Sequence, residues 1–273
     1  MTVIAMTQEM ATLGKDVATG VAEALRLKVV RHEIGDDVAD RLRVKKSLIR
    51  RMREGQAGWL EKRAVDPASF ALHAAEQVLD RALEGDVLIR GWGATCLLAE
   101  VRHVPCIRVC APLANRVKWL MERLESDDPD LAREELERSD RAHAARIHAN
   151  FGVSLGESLL YDVVLNTGRV TVESCVDQIV QLSRRPEFQP TPESVAHLRN
   201  LALRAHIQTA LRASPGGADI HVTVDVNGGA VVLRGIVFTE REKKLAAEVV
   251  RAVAGVTAVT NRLQAMKRRR ASP

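Results

Sequence analysis

An α/β fold with a parallel sheet flanked by helices, followed by a small α+β domain, is predicted by three observations. Short apolar runs at 1–6, 28–33, 86–90, 106–110 and 162–166 alternate with helical segments. They are too short for core helices and suit buried parallel strands. A polar stretch with three prolines, SRRPEFQPTP (183–192), divides the chain as a linker would. Beyond it the pattern changes to helix, strand, strand, helix, strand.

The first run, MTVIAM, reads as a strand, TQEMATLGKD (7–16) as a turn, and DVATGVAEALRL (16–27) as a helix. Val17, Val21, Ala24 and Leu25 share one face of that helix, the spacing needed to pack on a sheet. A strand entering a helix through a Gly-Lys turn is the layout of a phosphate-binding loop, where backbone N–H groups and the helix dipole hold phosphate oxygens. Gly14 would let the backbone turn close to a phosphate, and Lys15 is the loop's basic residue. Asp16 stands where Ser or Thr would meet magnesium.

KVVRHE (28–33) makes the second strand, and 35–84 reads as mostly helical and polar. LESDDPD (124–130) supplies a turn and helix start, and the charged helix that follows ends at FGVSLGES (151–158). That helix carries Arg138, Arg141 and Arg146 among Glu134, Glu135, Glu137 and Asp140, which can pair with them. Asn166 and Thr167 follow the final strand of the sheet. The carboxyl ends of parallel strands face the ligand crevice, so the Asn166-Thr167-Gly168 turn either contacts a nucleotide or caps the strand.

In the second domain DIHVTVDV (219–226) alternates, with Ile220, Val222, Val224 and Val226 on one face. Asn227-Gly228 is a hairpin signal, and AVVLRGIV (230–237) returns as the partner strand. Thr239 and Glu242 form a capping box for a helix closed by Gly255, and VTAVTNRLQ (256–264) is the last strand.

Composition narrows the partners. Of 273 residues only 3% are aromatic, which disfavours base stacking on single-stranded nucleic acid. A net charge of +5 favours anions in general. The excess gathers at 41–53 and 267–270, with no readout element beside either, so nucleic acid is disfavoured as a partner. The start lacks a signal-peptide layout, and no apolar run reaches membrane-spanning length. Cys96, Cys106, Cys110 and Cys175 form no CxxC pair and read as buried reduced thiols, the expectation for a cytoplasmic protein. The eight histidines show no metal-ligand spacing, and no metal cluster is assigned to them.

The segment 1–182 resembles the cytidylate-kinase-like family, a branch of the P-loop nucleoside monophosphate kinases. The residues that carry the resemblance are IRGWGATCLL (89–98), RVCAPLANRVKWLMER (108–123), SDRAHAARIHANFG (139–152) and LYDVVLNTGRVTVE (160–173). The segment 193–266 resembles a BON domain through Asn227-Gly228-Gly229, Gly235 and Gly255-Val256, with 267–273 left as a basic tail. The first resemblance implies ATP, Mg²⁺ and a nucleoside monophosphate, cytidylate by family, with Lys15, Arg138, Arg141 and Arg146 as phosphate-binding groups. The second implies a phospholipid or other small ligand. The chain departs from the kinase pattern at Ala11 and Leu13, which replace loop glycines. Trp92 stands where a Gly-Arg-Gly arginine is expected, and Arg31 replaces an acidic residue. Two readings stand: an active kinase, and an inactive nucleotide or anion sensor that signals through its BON domain.

Overall fold

A computed structural model describes residues 1–54, 56–59, 61, 65–216 and 222–266. Residues 219–221 of the predicted strand and the basic stretch 267–270 lie outside the described residues. The chain divides into two compact units, Met1–Val195 and the part from Ala196 onward.

In the first unit, β1 (Val3–Gln8), β2 (Lys28–Val30), β3 (Val87–Arg90), β4 (Cys106–Cys110) and β5 (Val163–Asn166) form one sheet in the order β2-β3-β1-β4-β5. All pairings are parallel. Every strand therefore ends at the same edge, and β1 lies centrally between β3 and β4. Helix α1 (Gly14–Leu25) follows β1, and α2 (His32–Leu42), α3 (Lys46–Glu54) and α4 (Pro67–Glu84) lie between β2 and β3. After β3 come α5 (Ala94–Leu97), then α6 (Leu113–Leu124) and α7 (Pro129–Phe151) between β4 and β5, and α8 (Val172–Ser183).

The central core joins Ile4 and Met6 of β1 to Leu88, Ile107 and Val109 of its neighbours, and to Val17 and Val21 of α1. Ala24 is exposed, and Ala18 and Ala22 are buried instead. At about 100° per residue Ala18 and Ala22 widen the Val17–Val21–Leu25 stripe on one side, and Ala24 borders it on the other. The long helix α7 starts cleanly because Asp128 accepts from the N–H groups of Asp130 and Leu131, with Pro129 at its first position. It ends where Gly152 takes φ 70°.

The predicted linker is more ordered than three prolines imply. Pro186–Phe188 form a short 3₁₀ turn, and Pro192 opens helix α9 (Pro192–Ala213).

In the second unit β6 (Thr223–Asn227), β7 (Ala230–Val237) and β8 (Ala258–Ala265) form a mixed sheet, with α10 (Glu240–Arg251) between β7 and β8. β6 and β7 are antiparallel, and β7 and β8 are parallel. Its core holds Ile207 and Leu211 of α9, Val224, Leu233 and Leu263 of the sheet, and Val250 of α10. The hairpin turns on Gly228-Gly229, one residue later than the Asn-Gly signal, because Asn227 pairs with Ala230. Both glycines have positive φ, and a Cβ on Gly229 would sit 2.7 Å from the Gly255 carbonyl oxygen. Helix α10 stops at Arg251, so Gly255 (φ 91°) belongs to the turn into β8 rather than to the helix end.

Candidate functional site

At the carboxyl edge of the sheet, residues 9–13 link β1 to α1 and border a cavity of about 410 Å³. Its walls come from this loop, the end of β3, α4, α6 and α7.

Among the described residues seven non-glycine residues have positive φ. Arg26, Arg43 and Glu125 are helix C-caps, where that conformation is routine, and Asp86 precedes β3. The other three, Ala11 (φ 61°), Leu13 (φ 56°) and Trp92 (φ 61°), all line the cavity. A left-handed non-glycine residue costs on the order of 1–2 kcal/mol. Such strain persists only where the surroundings over-determine it.

Here three tethers hold the loop. Glu9 pairs with Arg108, which also donates to the Leu155 carbonyl at 2.8 Å. Arg116 donates from Nε to the Met10 carbonyl at 2.7 Å. Thr167 donates from Oγ1 to the Thr12 carbonyl at 2.8 Å. The loop thus keeps a shape that normally calls for glycine.

Gly14, Lys15 and Asp16 open α1 and border the cavity, with Lys15 and Asp16 exposed. The N-terminus of α1 has no side-chain cap, which leaves first-turn N–H groups for a ligand.

Of the three predicted arginines on α7, only Arg146 borders the cavity. It does so with Ser139, His143, Ile147 and Asn150, spaced 4, 3, 1 and 3 residues apart on one face. Arg141 points roughly opposite, is exposed, and pairs with Glu137 at 3.4 Å. Arg138 lies on the flank, 2.6 Å from Glu135. Burial lowers the pKa of Arg146, and its guanidinium has no hydrogen-bond or ion-pair partner among the described residues.

The Asn166-Thr167 turn acts from behind the loop. Asn166 Oδ1 accepts from the Gly168 N–H at 3.0 Å, and Thr167 braces Thr12. A Cβ on Gly168 would lie 2.4 Å from Pro112 Cδ, so the turn packs tightly there.

Several site residues escaped the sequence reading. Arg90 is the last residue of β3, 6% exposed, and borders the cavity. Its Nε and Nη1 are buried with no partner among the described residues. Burial first, then the nearby Arg31 charge, lowers its pKa to about 10, while Asp16 pulls the other way. It therefore stays charged at neutral pH. A charged residue ending an apolar strand just before a glycine was the available signal. Arg116, also buried, forks onto both oxygens of Asp140 at 2.8 Å, tying α6 to α7. No sequence spacing announces that pair.

Phe70, Trp92, Trp119 and Phe151 border the same cavity. They are four of the chain's eight aromatic residues, so the scarce rings are concentrated at one place. Trp92 Nε1 donates to the Arg31 carbonyl at 2.6 Å, and its ring lies 6.2 Å from that of Phe70.

Comparison with known proteins agrees with this fold. Residues 3–169 match the cytidylate kinase-like family. The chain belongs to that family. Residues 200–266 match the BON domain. An uncharacterized protein from Eubacterium ventriosum superposes on this family member with a TM-score of 0.53 at 19% identity, covering 68% of this chain and 100% of that one. That likeness shows the fold alone. Shikimate kinase from Bacteroides thetaiotaomicron gives a TM-score of 0.39 at 16% identity, over 66% of this chain and 97% of that one. A uronate isomerase from Corynebacterium glutamicum is 29% identical over 118 residues, 43% of this chain. The match spans only 22% of the isomerase.

Among the described residues no helix is long and apolar enough to cross a membrane.

Proposed function

We propose that the kinase-like unit binds a nucleotide through its phosphates and transfers a phosphoryl group from ATP to a nucleoside monophosphate, with cytidylate the acceptor that the family indicates. One observation carries this reading. Lys15 from the start of α1, Arg90 from the sheet and Arg146 from α7 converge on one cavity, and none has a side-chain partner among the described residues. Two of the cavity's carboxylates, Glu9 and Asp140, are already neutralised by Arg108 and Arg116. The surplus is positive charge aimed at an anion, and phosphoryl transfer rests on positioning and charge neutralisation of this kind.

Lys15, at the positive end of α1, takes the donor's phosphates. Arg146 reaches the transferring group from the helix above it. Arg138 and Arg141, held by neighbouring carboxylates, set the charge of that helix. Thr167 and Asn166 keep the loop in place behind the nucleotide.

The donor set also fits Mg²⁺, which takes oxygen ligands. Asp16, exposed at the start of α1 and bordering the cavity, offers a carboxylate. Asp16 would hold the ion together with the nucleotide's phosphates, and the ion when bound would neutralise phosphate charge. Four free thiols fit a cytoplasmic setting.

A coupled ADP-release assay across AMP, CMP, GMP and UMP tests the proposal. Lys15→Ala is expected to lower turnover about ten- to hundred-fold, the worth of one charge-assisted phosphate contact. Absence of turnover above that variant with every acceptor would sink the transferase reading. The side chains of Ala11 and Leu13 on the loop favour a second one, nucleotide sensing without transfer, because a Cβ limits the backbone's approach to phosphate. Thermal stabilisation by ATP without product is its expected signature.

A further inference from the structure

Arg90 has an environment that its own fold leaves incomplete. It ends a strand whose four residues are all buried, and only 6% of it is exposed. Its Nε and Nη1 are shut off from water and meet no acceptor among the described residues. A fixed positive charge in that state is destabilising until something pairs with it. The carboxylates that could do so are engaged elsewhere: Glu9 holds Arg108, and Asp140 holds Arg116. Asp16 is near enough to be felt, yet no ion pair joins the two. The adjoining charge, Arg31, has the same sign.

The position within the cavity gives the anion a setting. Lys15 marks the end formed by the loop and α1. Arg90 continues directly into Gly91 and Trp92, and Trp92 faces Phe70 of α4 and packs over Gly35 of α2, where an added Cβ would lie 3.1 Å from its ring. The ring N–H of Trp92 is spent on the Arg31 carbonyl, so this wall offers aromatic surface rather than donors. A ligand here meets a buried cation with flat apolar walls close by.

Resting on the phosphoryl-transfer reading above, the geometry points to Arg90 as the residue that grips the phosphate of a phosphomonoester acceptor, with the ring of that acceptor against Trp92 and Phe70. Arg90 thus supplies, two residues earlier, a cation that Trp92 cannot, and Trp92 becomes part of the acceptor's wall. The donor's phosphates remain with Lys15.

The test is calorimetric titration and thermal melting of the full chain with AMP, CMP, GMP, UMP, inorganic phosphate and ADP, using wild type, Arg90→Met and Arg90→Lys. Arg90→Met keeps the apolar stem and removes the buried charge. Its unliganded melting temperature is expected to equal or exceed that of wild type, which a merely structural arginine would not allow. The nucleoside monophosphate that binds wild type best should lose affinity about ten- to hundred-fold. ADP should lose at least ten times less, and Arg90→Lys should restore part of the loss.

Unchanged monophosphate affinity in Arg90→Met overturns the assignment, as does a fall in its unliganded melting temperature. Wild type that binds inorganic phosphate as tightly as every monophosphate overturns the monoester. ADP binding to wild type with no monophosphate bound refutes this inference alone, whereas failure of ADP and ATP to bind at all refutes the nucleotide reading beneath it.

Discussion

Replacing Arg116 by Ala breaks the joint between α6, α7 and the phosphate loop, and its cost can be worked from the structure. The guanidinium makes two bonds to Asp140, both 2.8 Å, and one to the Met10 carbonyl, 2.7 Å. Its side chain is 6% exposed, whereas that of Asp140 is 33% exposed. Breaking a buried pair by removing one partner costs about 3–5 kcal/mol. Arg116→Ala also frees a loop carbonyl, so about 4 kcal/mol is expected. Asp140→Ala leaves Arg116 buried with the Met10 bond intact, and about 3 kcal/mol is expected. The double variant should lose about 5 rather than about 7 kcal/mol, an interaction of about 2 kcal/mol. Urea unfolding followed by tryptophan fluorescence is a suitable assay, because Trp59, Trp92 and Trp119 all lie in the first unit. A loss below about 1 kcal/mol for Arg116→Ala, or additivity within about 0.5 kcal/mol, would refute the reasoning.

Two further expectations concern other parts of the chain. Tyr161 is the chain's one tyrosine, so its ionisation can be followed at 295 nm without interference from another phenol. Burial pushes its pKa up to about 12, although Arg108, 5.8 Å from the ring, pulls it down. The neutral phenol is thus favoured by folding. Its contribution to stability is present below the unfolded value near 10 and is lost as pH climbs toward 12. Native protein at pH 11 should show little tyrosinate absorbance and urea-unfolded protein most of it; equal signals would contradict the burial argument. In the second unit, Gly229→Ala places a Cβ against the Gly255 carbonyl at a φ of 91°. A loss of about 2–3 kcal/mol is expected, seen as faster hydrogen exchange of β7 amides. Exchange at the wild-type rate would show that the turn relaxes freely.

Much of the fold was legible because its signals are local. β4 occupies the same five residues as the predicted apolar run, and the Thr239 cap forms, its Oγ1 accepting from the Glu242 N–H at 3.1 Å. The loop's location was equally plain from Gly14-Lys15. Its conformation was not. Alanine and leucine at 11 and 13 argue against a left-handed backbone, yet both adopt one. The partners that enforce it, Arg108, Arg116 and Thr167, stand 99, 106 and 155 residues from the groups they hold. No periodicity spans such distances.

The three arginines of α7 show the same division. Sequence placed them on one charged helix, and it could not orient that helix over the sheet. Only the packing of Ala132, Leu136 and Ile147 fixes which face looks into the cavity, and Arg146 is on it. The sequence by itself determined the strand–loop–helix layout and the order of two folded segments, since these rest on local spacing, and its motifs carried the resemblance to the family. The tertiary structure alone decided which cations are left without partners, because pairing depends on which residues the parallel sheet brings to its carboxyl edge. Arg90 was one residue among forty Lys and Arg in the sequence, and in the fold it is a buried charge that faces the cavity with no anion of its own among the described residues.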